Sequence, residues 1–295
     1  MNATEEYPYY NGIGAFYEDQ TERIIPPIIL TACCIGLPLN GIVIWLLGFQ
    51  IKRNPFTVLI LNLAISDCGV LIFMPIVSTP YFTDFMPSIT HRVFLFCLSD
   101  IIYINGLFLL TAISVDRCVS ILFPIWHRCF RSKHFSPALC VFLWIISFLL
   151  GGIQSLMKYV FLYDVIPRLH LLVTALLCLP LITISSVILF ININLRSEQI
   201  KRGRLLVMIL ITLFCFLILS VPLYIYICVD HFVDMSYVWD YLSFPFYFSL
   251  SACLNSSINP VIYFLVGRKK GTQSRESIKV MFQRVFGEDE ASETR

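Results

Sequence analysis

Charge is what this sequence has least of. Asp, Glu, Lys and Arg make up 14% of its 295 residues, against roughly 25% in an average soluble domain. Apolar residues account for 58% and the mean hydropathy is +0.80. One soluble core of this size cannot hide that excess, so lipid is expected to solvate part of the chain. Several chemical signatures are also absent. No CxxC pair and no Cys/His cluster at ligand spacing occurs, so no metal site is expected. No HExxH motif, Ser/His/Asp arrangement or paired-aspartate motif points to catalysis, and no enzyme is expected. No internal repeat of the kind found in transporters is visible. Met1 to Gln20 lacks the basic-then-apolar start of a secretory signal, so the first apolar run is expected to direct insertion. No cysteine follows Cys253, which argues against an acyl anchor after that point. No nucleic-acid partner is expected.

What the chain does have is seven apolar stretches of the roughly 20 residues a helix needs to cross a bilayer. They run 24–49, 56–81, 93–114, 136–157, 169–193, 205–229 and 239–266. The links are short, so neighbouring helices are expected to be antiparallel and to form one bundle. Of the eleven cysteines, Cys33, Cys34, Cys68, Cys97, Cys140, Cys178, Cys215, Cys228 and Cys253 lie inside these stretches. They read as small hydrophobes. Of the 21 Lys and Arg, only Arg23, Arg92, Lys158 and Arg168 fall on one side of the membrane, and the rest fall on the other. Positive charge stays inside, so the N-terminus is expected outside and the C-terminus inside.

The expected organisation is an extracellular N-terminus over 1–23, a seven-transmembrane bundle over 24–266 and a cytoplasmic amphipathic helix and tail over 267–295. Asn2-Ala3-Thr4 is a glycosylation sequon on the outer face. In the tail, Ile278, Met281, Phe282, Val285 and Phe286 form the apolar stripe of a helix lying on the lipid surface.

A strongly polar group in hydrocarbon is costly and marks a functional site or interhelical glue. Asn40, Asn62, Asp67, Asp100, Asn105, Asn255, Ser256 and Asn259 all fall within the apolar runs. Asp67 is the least easily explained as glue, because a lone carboxylate needs a cation, a proton or several donors.

Seven elements stand one per helix: Asn40, the stretch Leu61 to Asp67 (LNLAISD), Asp116-Arg117-Cys118, Trp144, Pro180, Pro222 and Asn259-Pro260-Val261-Ile262-Tyr263. Their order resembles that of rhodopsin-like G-protein-coupled receptors. Within that superfamily the chain resembles the Mas-related receptors, through 52–58 (KRNPFTV), 109–118 (LLTAISVDRC), Pro124-Ile125-Trp126, Arg128-Cys129 and 277–280 (SIKV). The resemblance runs from the first helix to the tail.

It implies a plasma-membrane receptor that binds an extracellular peptide or small molecule and activates a heterotrimeric G protein. Asp116, Arg117, Cys118, Asn259, Pro260 and Tyr263 are then the coupling and activation residues. Asn40, Asp67, Asn255, Ser256 and Asn259 form a mid-bundle polar site that binds sodium in many relatives. Sodium is the one cofactor in view, and Gly106 stands where many receptors place a serine ligand, which weakens that expectation. Three further departures matter. Ser220 replaces the tryptophan two residues before the helix 6 proline. Arg202 stands where an acidic residue usually helps restrain the Arg117 position. Arg92 replaces the cysteine at the top of helix 3, and the loop 159–168 has none, so no outer disulfide is expected.

The outer face is acidic, with Glu5, Glu6, Glu18, Asp19, Glu22, Asp84, Asp164, Asp230, Asp234 and Asp240. Such a field concentrates cations. A cationic peptide or amine near Asp100 is therefore expected, with Tyr103, Tyr224, Trp239 and Tyr241 offering cation–π faces. Alternatively Asp100 pairs with Lys158 or Arg168, and Arg92, Lys158 and Arg168 would instead suit an anionic ligand. A ligand-independent regulator on the receptor fold is the alternative, since Ser220 and Arg202 remove common restraints.

Overall fold

The computed structural model describes residues 7–78, 89–130, 134–159, 169–195, 203–233, 244–267 and 278–286, with the side chains described for most positions from Ile24 onward but not near several helix ends. The described residues are almost wholly helical and contain no strand. In chain order they form α1 (Tyr7–Trp45), a π-helical turn (Leu46–Gln50), α2 (Pro55–Ser78), α3 (Ile89–Leu122) and the short α4 (Pro124–Phe130). Then come α5 (Phe135–Tyr159), α6 (Leu169–Leu195), α7 (Gly203–Val233), α8 (Phe244–Gly267) and α9 (Ile278–Phe286). The seven long helices other than α4 and α9 make up a seven-helix bundle.

Five described segments are long and apolar enough to span a bilayer: Ile24–Gln50, Pro55–Val77, Val93–Leu122, Phe135–Gln154 and Tyr247–Gly267. Shorter apolar segments, Leu176–Asn192 and Leu206–Pro222, lie within the 27-residue α6 and the 31-residue α7. Leu176, Ile184, Ile218, Ile225 and Leu265 point outward and are more than half exposed. In water that surface would drive aggregation; in a bilayer it is the solvated face. The core lies between the helices, around Ile104, Leu109, Ile182, Leu213 and Cys253.

Local chemistry explains the ends. Asn54 caps α2: its Oδ1 accepts from Thr57 N at 2.7 Å while Thr57 Oγ1 accepts from Asn54 N at 2.9 Å. Pro55 follows at the first helical position, where no amide donor is needed. The π-helical turn closes with Ile51 N donating to Leu46 O at 2.9 Å, and Ile51 leaves in an extended conformation. Arg53 Nη2 donates to the Gly48 carbonyl at 2.8 Å and so satisfies an acceptor left at the helix end.

Boundaries differ from the sequence expectation most at α1 and α3. α1 begins at Tyr7 rather than Ile24, and α3 runs on from Ser114 to Leu122, which puts Asp116-Arg117-Cys118 inside a helix. α8 is described from Phe244, leaving Trp239 outside the described residues. α9 is described from Ile278. Its stripe is divided: Phe282 is buried against Phe264, with ring centroids 5.3 Å apart and edge-on, whereas Ile278 and Val280 are exposed.

Candidate functional site: a mid-bundle polar cluster and the C-terminal end of α3

α8 is the hub of the polar cluster. Asn259 Nδ2 donates to Asp67 Oδ2 of α2 at 2.8 Å, and Ser256 also hydrogen-bonds that carboxylate. On the α1 side, Asn40 Nδ2 donates to Ser256 O at 3.0 Å and to Gly36 O at 3.1 Å. Ser257 Oγ donates to Ala32 O at 2.9 Å. Asn105 of α3 donates to Ser66 Oγ at 2.7 Å, beside Asp67 in sequence. Asn40, Asp67, Asn105, Ser256 and Asn259 are all buried. Asn62, by contrast, donates to its own helix at Val58 O, 2.9 Å, and is not drawn into the cluster by any described bond.

The cluster is rich in oxygen acceptors. The side-chain carbonyl oxygens of Asn40, Asn105, Asn255 and Asn259 are buried and accept no hydrogen bond. A carboxylate with surrounding carbonyl and hydroxyl oxygens is the donor set a hard cation takes. A Cβ placed on Gly106 would sit 3.7 Å from Ser66 Cβ, an ordinary contact, so the glycine leaves room on the α3 side.

The second constellation lies at the C-terminal end of α3. Arg117 is 5% exposed. Its guanidinium carbon stands 3.6 Å above the centre of the Phe56 ring, a cation–π contact from α2. Its Nη2 is 3.6 Å from Asp116 Oδ2. That is longer than the 2.7–2.9 Å of a tight charge-assisted hydrogen bond. Asp116 Oδ1 faces His127 Nε2 of α4 at 3.3 Å. His127 was not among the sequence candidates; the nearness of Pro124, which starts a new helix, was the one available signal. Cys118 is buried against Ser185 of α6. Tyr263 is buried and, with Leu110, Ile113, Met208 and Leu213, lines a small apolar gap between α2, α3, α7 and α8.

Of the expected ligand-binding residues, Tyr103 and Tyr224 are brought together. Both are buried, their side chains hydrogen-bond, and the Tyr103 ring meets Phe248 edge-on at 4.9 Å. These rings already serve α3–α7–α8 packing. Asp100 is half-buried on α3, one turn from Tyr103. Lys158 lies on α5 with its side chain outside the described residues; Trp239, Tyr241 and Asn2 lie outside them altogether, as does Arg202.

A bundle of seven long apolar helices, polar at its centre and carrying a largely buried Asp-Arg pair at one end, defines a seven-helix membrane receptor. The family described as "7 transmembrane receptor (rhodopsin family)" matches residues 39–263. The chain is 34% identical to the mouse proto-oncogene Mas over 90% of its length and 84% of that protein's. It is 38% identical to human Mas-related G-protein coupled receptor member D, over 84% of the chain and 79% of that protein. With mouse Mas-related G-protein coupled receptor member H it shares 36% identity, over 88% and 83%. The chain belongs to the rhodopsin family of G-protein-coupled receptors, in its Mas-related branch, and is a multi-pass plasma-membrane protein and not an enzyme.

Proposed function

We propose that the receptor lies with its N-terminus outside, takes a cationic peptide or amine near Asp100, and activates its G protein through Arg117 and the inner ends of α3, α6 and α7. The observation that carries the coupling half is the buried Arg117, held loosely by Asp116 at 3.6 Å and resting on Phe56. A guanidinium in that position can turn its hydrogen-bonding fork to a partner once the carboxylate lets go. Arg117→Ala at matched surface expression abolishes G-protein activation under this reading; full activation by that variant overturns it.

For the ligand, the support is the acidic outer face and the half-buried Asp100 near a buried tyrosine pair. Basic and acidic peptides and amines are screened on wild type and Asp100→Asn. Basic agonists that lose potency on the variant support the reading, and acidic agonists that act equally on both overturn it. The same 3.6 Å separation favours a second reading, basal activity without a ligand, which nucleotide exchange by purified receptor alone would reveal. The Asp67 cluster suits sodium, held by Asp67, Ser256 and the Asn255 and Asn259 carbonyls, which would bias the bundle toward its resting form.

A further inference from the structure

The seam between α1 and α8 closes tightly at Gly36 and Ser257, where a Cβ on the glycine would collide with the serine hydroxyl. Ser257 Oγ lies 2.9 Å from Ala32 O across the seam and 2.8 Å from Cys253 O on its own helix. One turn before Gly36 on α1 stands Cys33, and one turn before Ser257 on α8 stands Cys253. That spacing sets the two thiols opposite each other, and they hydrogen-bond. Cys33 is 6% exposed and Cys253 is fully buried. Cys178 and Cys118, by contrast, meet hydroxyls, those of Thr111 and Ser185. Beside Cys33, the side chains of Leu30, Cys34 and Ile35 are exposed on the face of α1 that acyl chains cover.

Cysteine packs as a small hydrophobe, but two thiols in contact are also the reactants of a disulfide. Such a bond needs closely approaching backbones, which Gly36 and the Ser257 hydroxyl provide here. We propose that Cys33 and Cys253 are a site of reversible oxidation, and that the disulfide they form staples α1 to α8. The oxidant is a hydroperoxide carried on an oxidised acyl chain, which reaches an apolar span that water-borne oxidants enter poorly. The Cys33 sulfur attacks the terminal peroxide oxygen, the O–O bond breaks, and the thiol proton leaves with the alkoxide as a lipid alcohol. Cys253 then attacks the Cys33 sulfenic acid, which forms the S–S bond and releases water. The thiols are oxidised by two electrons and the hydroperoxide is reduced to alcohol and water. Thiolate, the reactive form, is scarce in apolar surroundings, so the link accumulates slowly under sustained peroxidation. A small thiol reductant reopens it by exchange. While it holds, the seam that Asn40 ties at Ser256 O is covalent, and α1 and α8 move as one body.

The test needs neither ligand nor G protein. The full-length receptor is held in nanodiscs whose phosphatidylcholine carries linoleoyl hydroperoxide, and the hydroperoxide share is raised until the exposed Cys34 is oxidised. The sample is then denatured in N-ethylmaleimide and its peptides are mapped by mass spectrometry without reduction. A peptide joining Cys33 to Cys253 is expected, with Cys253 protected from the maleimide, and dithiothreitol should abolish both. Cys33→Ser should leave Cys253 open to the maleimide after the same exposure, and Cys253→Ser should do the same for Cys33, so either variant that folds serves. Linking should raise the thermal unfolding midpoint by about 5 °C over the dithiothreitol-treated receptor, the scale of one added disulfide, with no rise in either serine variant. Oxidation of Cys34 while Cys33 and Cys253 both take the maleimide overturns the proposal. So does Cys253 joined to a cysteine other than Cys33, or protection of Cys253 that persists in Cys33→Ser. A linked receptor that unfolds no later than the reduced one overturns the staple.

Discussion

Asn259 Nδ2 on α8 donates a 2.8 Å hydrogen bond to Asp67 Oδ2 on α2, across 192 positions of sequence. Both groups are buried, so neither has water to fall back on. Asn259 directly precedes Pro260, a helix-interior proline whose ring supplies no amide donor. The bond thus fastens α8 to α2 next to the point where its own ladder is interrupted.

Asp67→Asn keeps the shape and removes the charge. An amide oxygen at position 67 can still accept from Asn259, so surface expression should stay within about a factor of two of wild type, well under 1 kcal/mol. G-protein activation should change several-fold, because the cluster loses its one ionisable group. Expression and activation are read on the same cells, and a variant trapped inside the cell would make Asp67 structural.

Gly106→Ser tests the open α3 side of the cluster. The added Cβ meets only Ser66 Cβ at 3.7 Å, so the substitution should fold normally. Its hydroxyl adds an oxygen donor where Gly106 provides none. G-protein binding should become more sensitive to exchanging sodium chloride for choline chloride than it is in wild type. Identical salt responses would show that position 106 does not face the cation.

Gly36 and Gly41 make a paired test of helix packing in α1. A Cβ on Gly36 would run into Ser257 Oγ and come within 2.8 Å of Leu71 Cδ1, whereas one on Gly41 meets nothing within 4 Å. Gly36→Ala should cost about 1–3 kcal/mol through overpacking, and Gly41→Ala should stay within about 0.5 kcal/mol of wild type. Thermal unfolding in detergent, compared between the two, checks the ordering.

Phe282→Ala should release α9. Phe282 is 1% exposed and packs edge-on against Phe264, while Lys279 makes only an exposed 3.1 Å bond to Gln50 Oε1. Hydrogen exchange over Ile278–Phe286 should speed up markedly in Phe282→Ala and hardly at all in Lys279→Ala. Equal effects would place the anchor in the polar contact.

The helices were legible because twenty-residue apolar runs admit few alternatives, and Asp116, Arg117 and Asn259 because they sit in recognisable order. Helix ends were less so. α3 runs past Ser114 because the polar residues that follow face other helices rather than end the segment, which composition alone cannot show. The pairing of His127 with Asp116 was invisible: eleven positions separate them, and a new helix begins between them at Pro124. Gly36 gave no sign of its close approach to Ser257, since contact between distant helices leaves no local pattern. Tyr103 and Tyr224 looked like free aromatic faces, yet they bond each other.

The side-chain hydrogen bonds that join the helices have a mechanical consequence. Asn40 and Ser257 fasten α1 to α8, Asn259 fastens α8 to α2, and Asn105 fastens α3 to α2. These four helices form a chassis, riveted near the middle of the bundle. α7 is fixed to it by Ser251 Oγ at the Leu219 carbonyl, 2.9 Å, three residues before Pro222. A lever pinned beside a proline, where its own ladder lacks a donor, can swing most at its far end, and for α7 that end is the one nearest Arg204, at the same end of the bundle as Arg117.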